Sequence, residues 1–273
     1  MTAADDSTPI EPAPLRGAAT VALVRDSADG IEVFLQRRVK QMAFAGGMTV
    51  FPGGGVDPRD AEADLDWTGP DVQWWADAFA TDVPTAQELV CAAVRETFEE
   101  CGVLLATRTG GESVDPAGFA TQRAQLVDKT VSLAGFLRGE GLTLRSDLLR
   151  PLAHWITPII EKRRYDTRFF LAALPDGQDA DDQTSEAEVA RWVRPQAAID
   201  AWADGQHYLL PPTWSVLTYL AGFDSVADVL AAEVSITPIE PDHTPGLGIA
   251  GLSFPGSDRF LAVLDKLGAP DIV

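Results

Sequence analysis

Residues Leu89–Val103, LVCAAVRETFEECGV, decide how the rest of the chain is read. At 100° per residue Glu96, Glu99 and Glu100 share one helix face, because positions three and four apart are surface neighbours. Val90, Ala93, Val94, Thr97, Phe98 and Cys101 recur at helical spacing on the other face and are expected to pack on a sheet. Gly102 is the expected C-cap. Three carboxylates so close repel unless something neutralises them. Protonation would do so; a hard divalent cation with oxygen ligands would do it better and add a catalyst. A Glu-rich helix face can also be merely solvated.

The order of letters chooses between these readings. Arg95 to Val103, RETFEECGV, resembles the second half of the Nudix box, G-x5-E-x7-R-E-U-x-E-E-x-G-U with U apolar, and Phe51–Gly55, FPGGG, resembles the glycine loop that opens it. The resemblance implies a Nudix hydrolase fold: an α+β chain forming an α/β/α sandwich with a mixed β-sheet, here with helical insertions and C-terminal helices. It implies a diphosphatase using Mg²⁺ or Mn²⁺, with Glu96, Glu99 and Glu100 as metal ligands and Arg95 orienting a glutamate. A further acidic residue, metal ligand or base, is expected from the acidic loop Asp176–Glu188 at SEAEVARW, where Glu186 is preferred over Glu188. One spacing and one letter depart from the family. Gly54 and Arg95 lie 41 positions apart where the family has 14, which implies about 27 inserted residues, and Thr97 stands at a normally apolar position. Counting back from Arg95 puts Gln87 where the first Glu belongs, with Glu88 one residue off. An interrupted box of this kind resembles the Nudix branch that includes peroxisomal coenzyme A diphosphatases.

A second stretch bears on substrate. Phe34-Leu35-Gln36-Arg37-Arg38, Met42, Gly47 and Phe51-Pro52-Gly53-Gly54 resemble the coenzyme A signature LLTxR-x3-L-x4-G-x3-FPGG, with Phe34 for a Leu and Gln36 for the Thr. The expected partner is therefore a small nucleoside diphosphate derivative, coenzyme A or acyl-coenzyme A, with ADP-ribose, a dinucleotide or a nucleotide sugar as alternatives. A non-catalytic nucleotide-sensing module is the other class, disfavoured because three adjacent carboxylates are costly to maintain without chemistry. Arg37 or Arg38 would supply a bidentate phosphate contact, or pair with an acidic neighbour; Gly53 and Gly54 would let backbone approach the ligand.

Composition sets bounds. A net charge of −20, from 21 basic and 41 acidic residues, argues against nucleic-acid or acidic-membrane partners. Two cysteines, ten apart on one helix, point to a reducing, cytoplasmic compartment. No window of 18 apolar residues occurs, and the N-terminus is acidic and Pro-rich where a signal peptide is basic then apolar, so an unexported, soluble chain is expected. Nothing in the sequence fixes the oligomeric state.

In chain order, residues 1–16 read as a disordered tail and 17–235 as the Nudix domain. Ala18–Arg25 and Ile31–Arg37 form a hairpin about Asp29-Gly30, and Met48–Phe51 a short strand. Residues 57–85 are the insertion within the box, acidic, with a short helix at Trp74, Trp75, Ala78 and Phe79 acting as lid or as packed elaboration. Val103–Ala106 reads as a strand and 112–150 as a helical insertion, with one helix over Ala117–Gly139. Leu152–Ile160 and Tyr165–Leu174 pair as strands. Alternation puts Arg164, Asp166 and Arg168 on one side, leaving Arg168 to face a phosphate or solvent. A strand at Val189–Val193 and helices at Gln196–Ala203, Pro211–Leu220 and Ser225–Ala232 follow. Residues 236–273, rich in Pro and Gly, read as an extended tail.

Overall fold

The computed structural model describes residues 12–41, 45–62, 65–184, 186–244 and 247–268. Strand β1 (Leu15–Ser27) turns back through Gly30, at φ 108°, into β2 (Gly30–Arg38), and the two pair antiparallel from Ser27 and Gly30 out to Val24 and Val33. Beyond that point they part. The outer end of β1 takes β4 (Gly53–Gly55) as its antiparallel neighbour, while β2 pairs with β3 (Met48–Val50). The box region then supplies β5 (Trp67–Thr68), α1 (Val72–Ala78) and the long helix α2 (Val83–Cys101). After it come β6 (Ala106–Arg108), α3 (Ala120–Val127), α4 (Leu133–Glu140) and β7 (Leu142–Arg145), with β5, β7 and β6 making a small three-stranded sheet. The main sheet is completed by β8 (Leu149–Ile156), β9 (Arg164–Ala173), β10 (Ala187–Val193), β11 (Tyr208–Leu209) and β12 (Pro238–Ile239). Its order is β11-β3-β2-β1-β9-β8-β12, with β9 parallel to β1 and β10 filling the gap beside β2.

Alternation along these strands builds two cores. Ala19, Val21 and Leu23 of β1, Phe34 of β2 and Phe170 of β9 face one way and pack under α2, α1, α3 and α4. Ala22, Val24, Val33, Leu35 and Phe169 face the other way, beneath α5 (Pro195–Ala203), α6 (Pro211–Leu220), α7 (Val226–Ala231) and a further helix, α8 (Ser257–Leu267). The result is the α/β/α sandwich with a mixed sheet. Helix α2 is sealed at both ends as its sequence requires: the Asp82 carboxylate accepts from the Thr85 N–H, and Gly102 closes it in the left-handed region at φ 72°. All six residues assigned to its apolar face are buried. Thr97 is tolerated there because its hydroxyl donates to the Ala93 carbonyl one turn back, at 2.7 Å.

Several boundaries differ from the sequence reading. Leu15 and Arg16 are not tail but the first residues of β1, paired with Arg164 and Tyr165; residues 1–11 lie outside the described residues. The segment after 236 is not an extended tail, since Pro238–Ile239 adds to the sheet and α8 buries Phe260 and Leu264; the run SDRFLAVLDKL is helix-forming once past the Pro and Gly that precede it. The strand expected at Val103–Ala106 begins only at Ala106. The helix expected over Ala117–Gly139 is two helices, broken where Lys129 takes φ 59°. In the box insertion Trp75 and Phe79 are buried against Phe170, whereas Trp74 stays exposed, so that part is a packed layer of the core.

Candidate active site

The site lies where β1 and β2 part. Gln36, two residues after Phe34 on the same side of β2, reaches under α2, and β4 brings a strand of three glycines against the same stretch of helix. Glu100 is gripped between them: it accepts from the Gln36 amide and, at 2.8 Å, from the Gly53 N–H. Glu96 lies against Gly54, where a Cβ would come within 2.6 Å of its carboxylate oxygen, so any larger residue there displaces that carboxylate. Gly53 is similarly confined, since a Cβ there would meet the Ala19 carbonyl at 2.5 Å. The glycine strand thus sits beside the C-terminal half of α2. The Gly53 N–H is spent on Glu100 and is not turned to a ligand.

Arg95 organises the cluster. Its Nε and one terminal nitrogen donate to both oxygens of Asp60, each at 2.9 Å, and the same terminal nitrogen donates to the Gly55 carbonyl at 3.0 Å. The other terminal nitrogen holds Glu96 at 2.6 Å and Glu99 at 3.3 Å. Asp60 is only 2 % exposed and sits in a 3-10 turn, Pro58–Ala61, whose capping residue Asp57 accepts from the Arg59 N–H. Neither Gln87 nor Glu88 is the partner of Arg95: the Gln87 amide donates to the Glu62 carbonyl instead. Asp60 is six residues after Gly54, the G-x5-E spacing of the box with Asp for Glu. The chain therefore departs from the family spacing after this turn, and the insertion placed at residues 57–85 starts beyond Ala61. Counting forward from Gly54 instead of back from Arg95 finds it.

Electrostatics follow from this packing. Burial pushes Glu96 up to about 7, with Glu99 adding repulsion and Arg95 opposing both. Burial also raises Glu99, and raises Glu100 well above the usual carboxylate range, reinforced by Glu96. Burial works against the charge of Arg95, but Asp60, Glu96 and Glu99 outweigh it and keep the guanidinium protonated. A cavity of about 1000 Å³ opens over these groups, and its lining carries nine acidic against four basic side chains. That imbalance repels an anionic ligand. The donors present fit a hard cation: three carboxylates whose pKa values burial raises, with the Gln36 Oε1 buried beside Glu100 without a partner. As they stand, the described residues form no closed cage of three or more such groups, since Arg95 occupies Glu96 and Glu99.

The remaining expected residues divide. Arg38 faces the cavity and pairs with Glu186 at 2.8 Å across its mouth, bringing the two together. Arg37, one position along β2, points to the opposite face and lies 3.4 Å from Glu188, so both arginines have acidic neighbours. Arg168 is 5 % exposed, bonded to Asp166 and set beneath the Phe79 ring, and does not line this cavity; it faces neither phosphate nor solvent, because α1 and Phe79 cover its side of β9. Met42 of the coenzyme A signature lies outside the described residues. Gln36, at the position where that signature has Thr, turns out to hold Glu100. Sequence reading also missed Arg123 on α3, which clasps Asp181 at 2.6 and 2.9 Å and donates to the Glu99 carbonyl, closing the far wall.

This sandwich, with an arginine-locked carboxylate helix beside a glycine strand, defines the Nudix class. Residues 70–220 match the family model described as the NUDT19 Nudix domain, and the chain belongs to that family. It is 29 % identical over 233 residues to the Caenorhabditis elegans protein named "Putative nudix hydrolase 7", covering 84 % of this chain and 70 % of that one. It is 26 % identical over 240 residues to human "Acyl-coenzyme A diphosphatase NUDT19", covering 74 % of this chain and 64 % of the relative. Among solved structures, a Nudix hydrolase from Alicyclobacillus acidocaldarius superposes with a TM-score of 0.68 at 28 % identity, covering 82 % of this chain and 98 % of that one. Among the described residues no helix is long and apolar enough to cross a membrane.

Proposed function

We propose that this protein hydrolyses the diphosphate of coenzyme A or acyl-coenzyme A, giving 3′,5′-ADP and 4′-phosphopantetheine or its acyl form. The observation that carries the reading is the Asp60–Arg95 lock, which fixes Glu96 and Glu99 next to the buried Glu100, beside the glycine strand in a cavity short of positive charge. Relatives named acyl-coenzyme A diphosphatases support the substrate class. Glu96, Glu99 and Glu100 would hold Mg²⁺ or Mn²⁺, which when bound supplies phosphate-charge neutralisation and makes water more acidic. Arg95 sets the rotamers of Glu96 and Glu99; Gln36 and Gly53 set that of Glu100. One water adds to a phosphorus of the anhydride, the P–O bond to the bridging oxygen breaks, and Glu186 takes the water's proton. Arg38 orients Glu186 and meets a phosphate oxygen. The cytoplasmic site of action belongs to the same reading, on the two free, buried cysteines.

The test is a panel of coenzyme A, acyl-coenzyme A, NADH, ADP-ribose and nucleoside triphosphates, with Mg²⁺, Mn²⁺ or chelator, and products identified. Metal-dependent release of 3′,5′-ADP, weakened in Arg38→Ala, is expected. Preference for ADP-ribose or NADH would reject the coenzyme A assignment, and undiminished turnover in chelator would reject the metal chemistry.

A further inference from the structure

A second cavity, of about 860 Å³, lies on the other face of the sheet and shares Arg38 and Gly53–Gly55 with the first. Its construction is opposite in kind. Aliphatic and aromatic groups from four parts of the chain dominate the lining: Val50 and Phe51, Trp155 and Phe169 of the sheet, Leu210 before α6, and Ile249 of the C-terminal segment. Among the described residues its charged lining is Arg38, Lys40 and Glu161. A cavity of this size fits a drug-sized ligand part, and an apolar wall with few fixed donors favours a chain that needs no hydrogen bonds. The shared wall consists of residues without side chains plus one arginine. The two cavities therefore adjoin at β4, and Arg38 is the one side chain common to both linings.

We propose that this second cavity seats the acyl chain of an acyl-thioester substrate, so that the glycine strand separates the charged from the apolar half of one ligand. The proposal rests on the coenzyme A reading above. Continuity through Arg38 and the glycine strand is what ties the cavity to that site, and the scarcity of charge favours an acyl chain over a nucleoside bisphosphate. Hydrocarbon burial then makes affinity rise with chain length, on the order of threefold per added CH₂ until the space is filled.

Two measurements test it. The first is binding of coenzyme A and of acetyl-, octanoyl- and palmitoyl-coenzyme A in chelator by calorimetry, a readout that needs no turnover. The second is kcat/KM for the same series with metal. Each is made on the wild type and on Ile249→Asp and Leu210→Asp, two partly buried positions outside the carboxylate site, with circular dichroism confirming the fold. Affinity that climbs with chain length in the wild type, and flattens in both variants while coenzyme A itself is unaffected, is the expected result. Affinity independent of chain length overturns the proposal. So does an equal loss for coenzyme A and every acyl form, which would assign the cavity to the nucleotide half. Chain-length-dependent binding without hydrolysis of any panel member would uphold this cavity and reject the hydrolase reading instead.

Discussion

The two cavities that meet at Gly53–Gly55 are held in shape by different forces. Over α2, position is set by charge: Arg95 is a hub whose four acceptor partners are Asp60, Gly55, Glu96 and Glu99, and burial raises the pKa of Glu96, Glu99 and Glu100. On the opposite face it is set by packing, with Trp155, Phe254, Trp214 and Phe260 in successive edge-to-face contact. The first arrangement is specific and intolerant, because removing one partner strands a buried charge. The second is tolerant, since apolar groups of similar volume can replace one another.

The largest expected effect tests that intolerance. Glu99→Gln or Glu100→Gln should lower kcat on the order of 10²–10³-fold, the loss seen when one strong electrostatic contributor to a transition state is removed. Steady-state assays at saturating metal measure it, and near-normal turnover in either variant would end the carboxylate mechanism. Next comes Asp60→Ala, which leaves Arg95 buried without its bidentate partner. A stability loss of about 3 kcal/mol by urea denaturation is expected, together with lost activity, as breaking a buried pair does. Unchanged stability would mean that Glu96 and Glu99 suffice to hold the guanidinium.

Gly54→Ala is milder. The added Cβ pushes the Glu96 carboxylate aside while leaving the helix intact, so kcat should fall by up to about 10²-fold, the scale of a 1 Å misplacement, with the melting temperature nearly constant. Parallel loss of stability would show that the glycine serves the fold and not the carboxylate. The smallest effect lies on the packed side. Burial lowers the pKa of His207, whose ring bonds to the Ala198 carbonyl. Its folded value lies below the ordinary 6.5, so the unfolded chain takes up the proton first. Stability is then complete above 6.5 and declines as the pH falls below it. Melting temperatures of wild type and His207→Gln compared from pH 7.5 to 5 should show a shallower decline in the variant; identical slopes would remove His207 as a contributor.

How much of this could be read beforehand depended on whether the information was local. Helix α2 was legible through its period, its Gly102 cap and its letters, and the hairpin through Asp29-Gly30. The break at Lys129 was not, because nothing marks a lysine for positive φ. For Arg168 the alternation was read rightly, but its environment depends on Trp75 and Phe79 covering that side of β9, a tertiary fact. Helix α8 was hidden by the Pro and Gly before it. Gln36 carried a weak signal, a polar residue in step with Phe34 on a buried side, whose meaning needed Glu100 from 64 residues away.

The Asp60–Arg95 pair spans 35 positions, where an uninterrupted box would span roughly eight. Polymer statistics make such an interruption inexpensive: the cost of bringing two points of a chain together grows only with the logarithm of the contour between them, about 1 kcal/mol for this difference. The segment also repays its own ordering by placing Trp75 and Phe79 under the sheet. The joint after Ala61 is thus a graft point, where segments of other lengths should be accepted provided both ends return to the Asp60–Arg95 clasp.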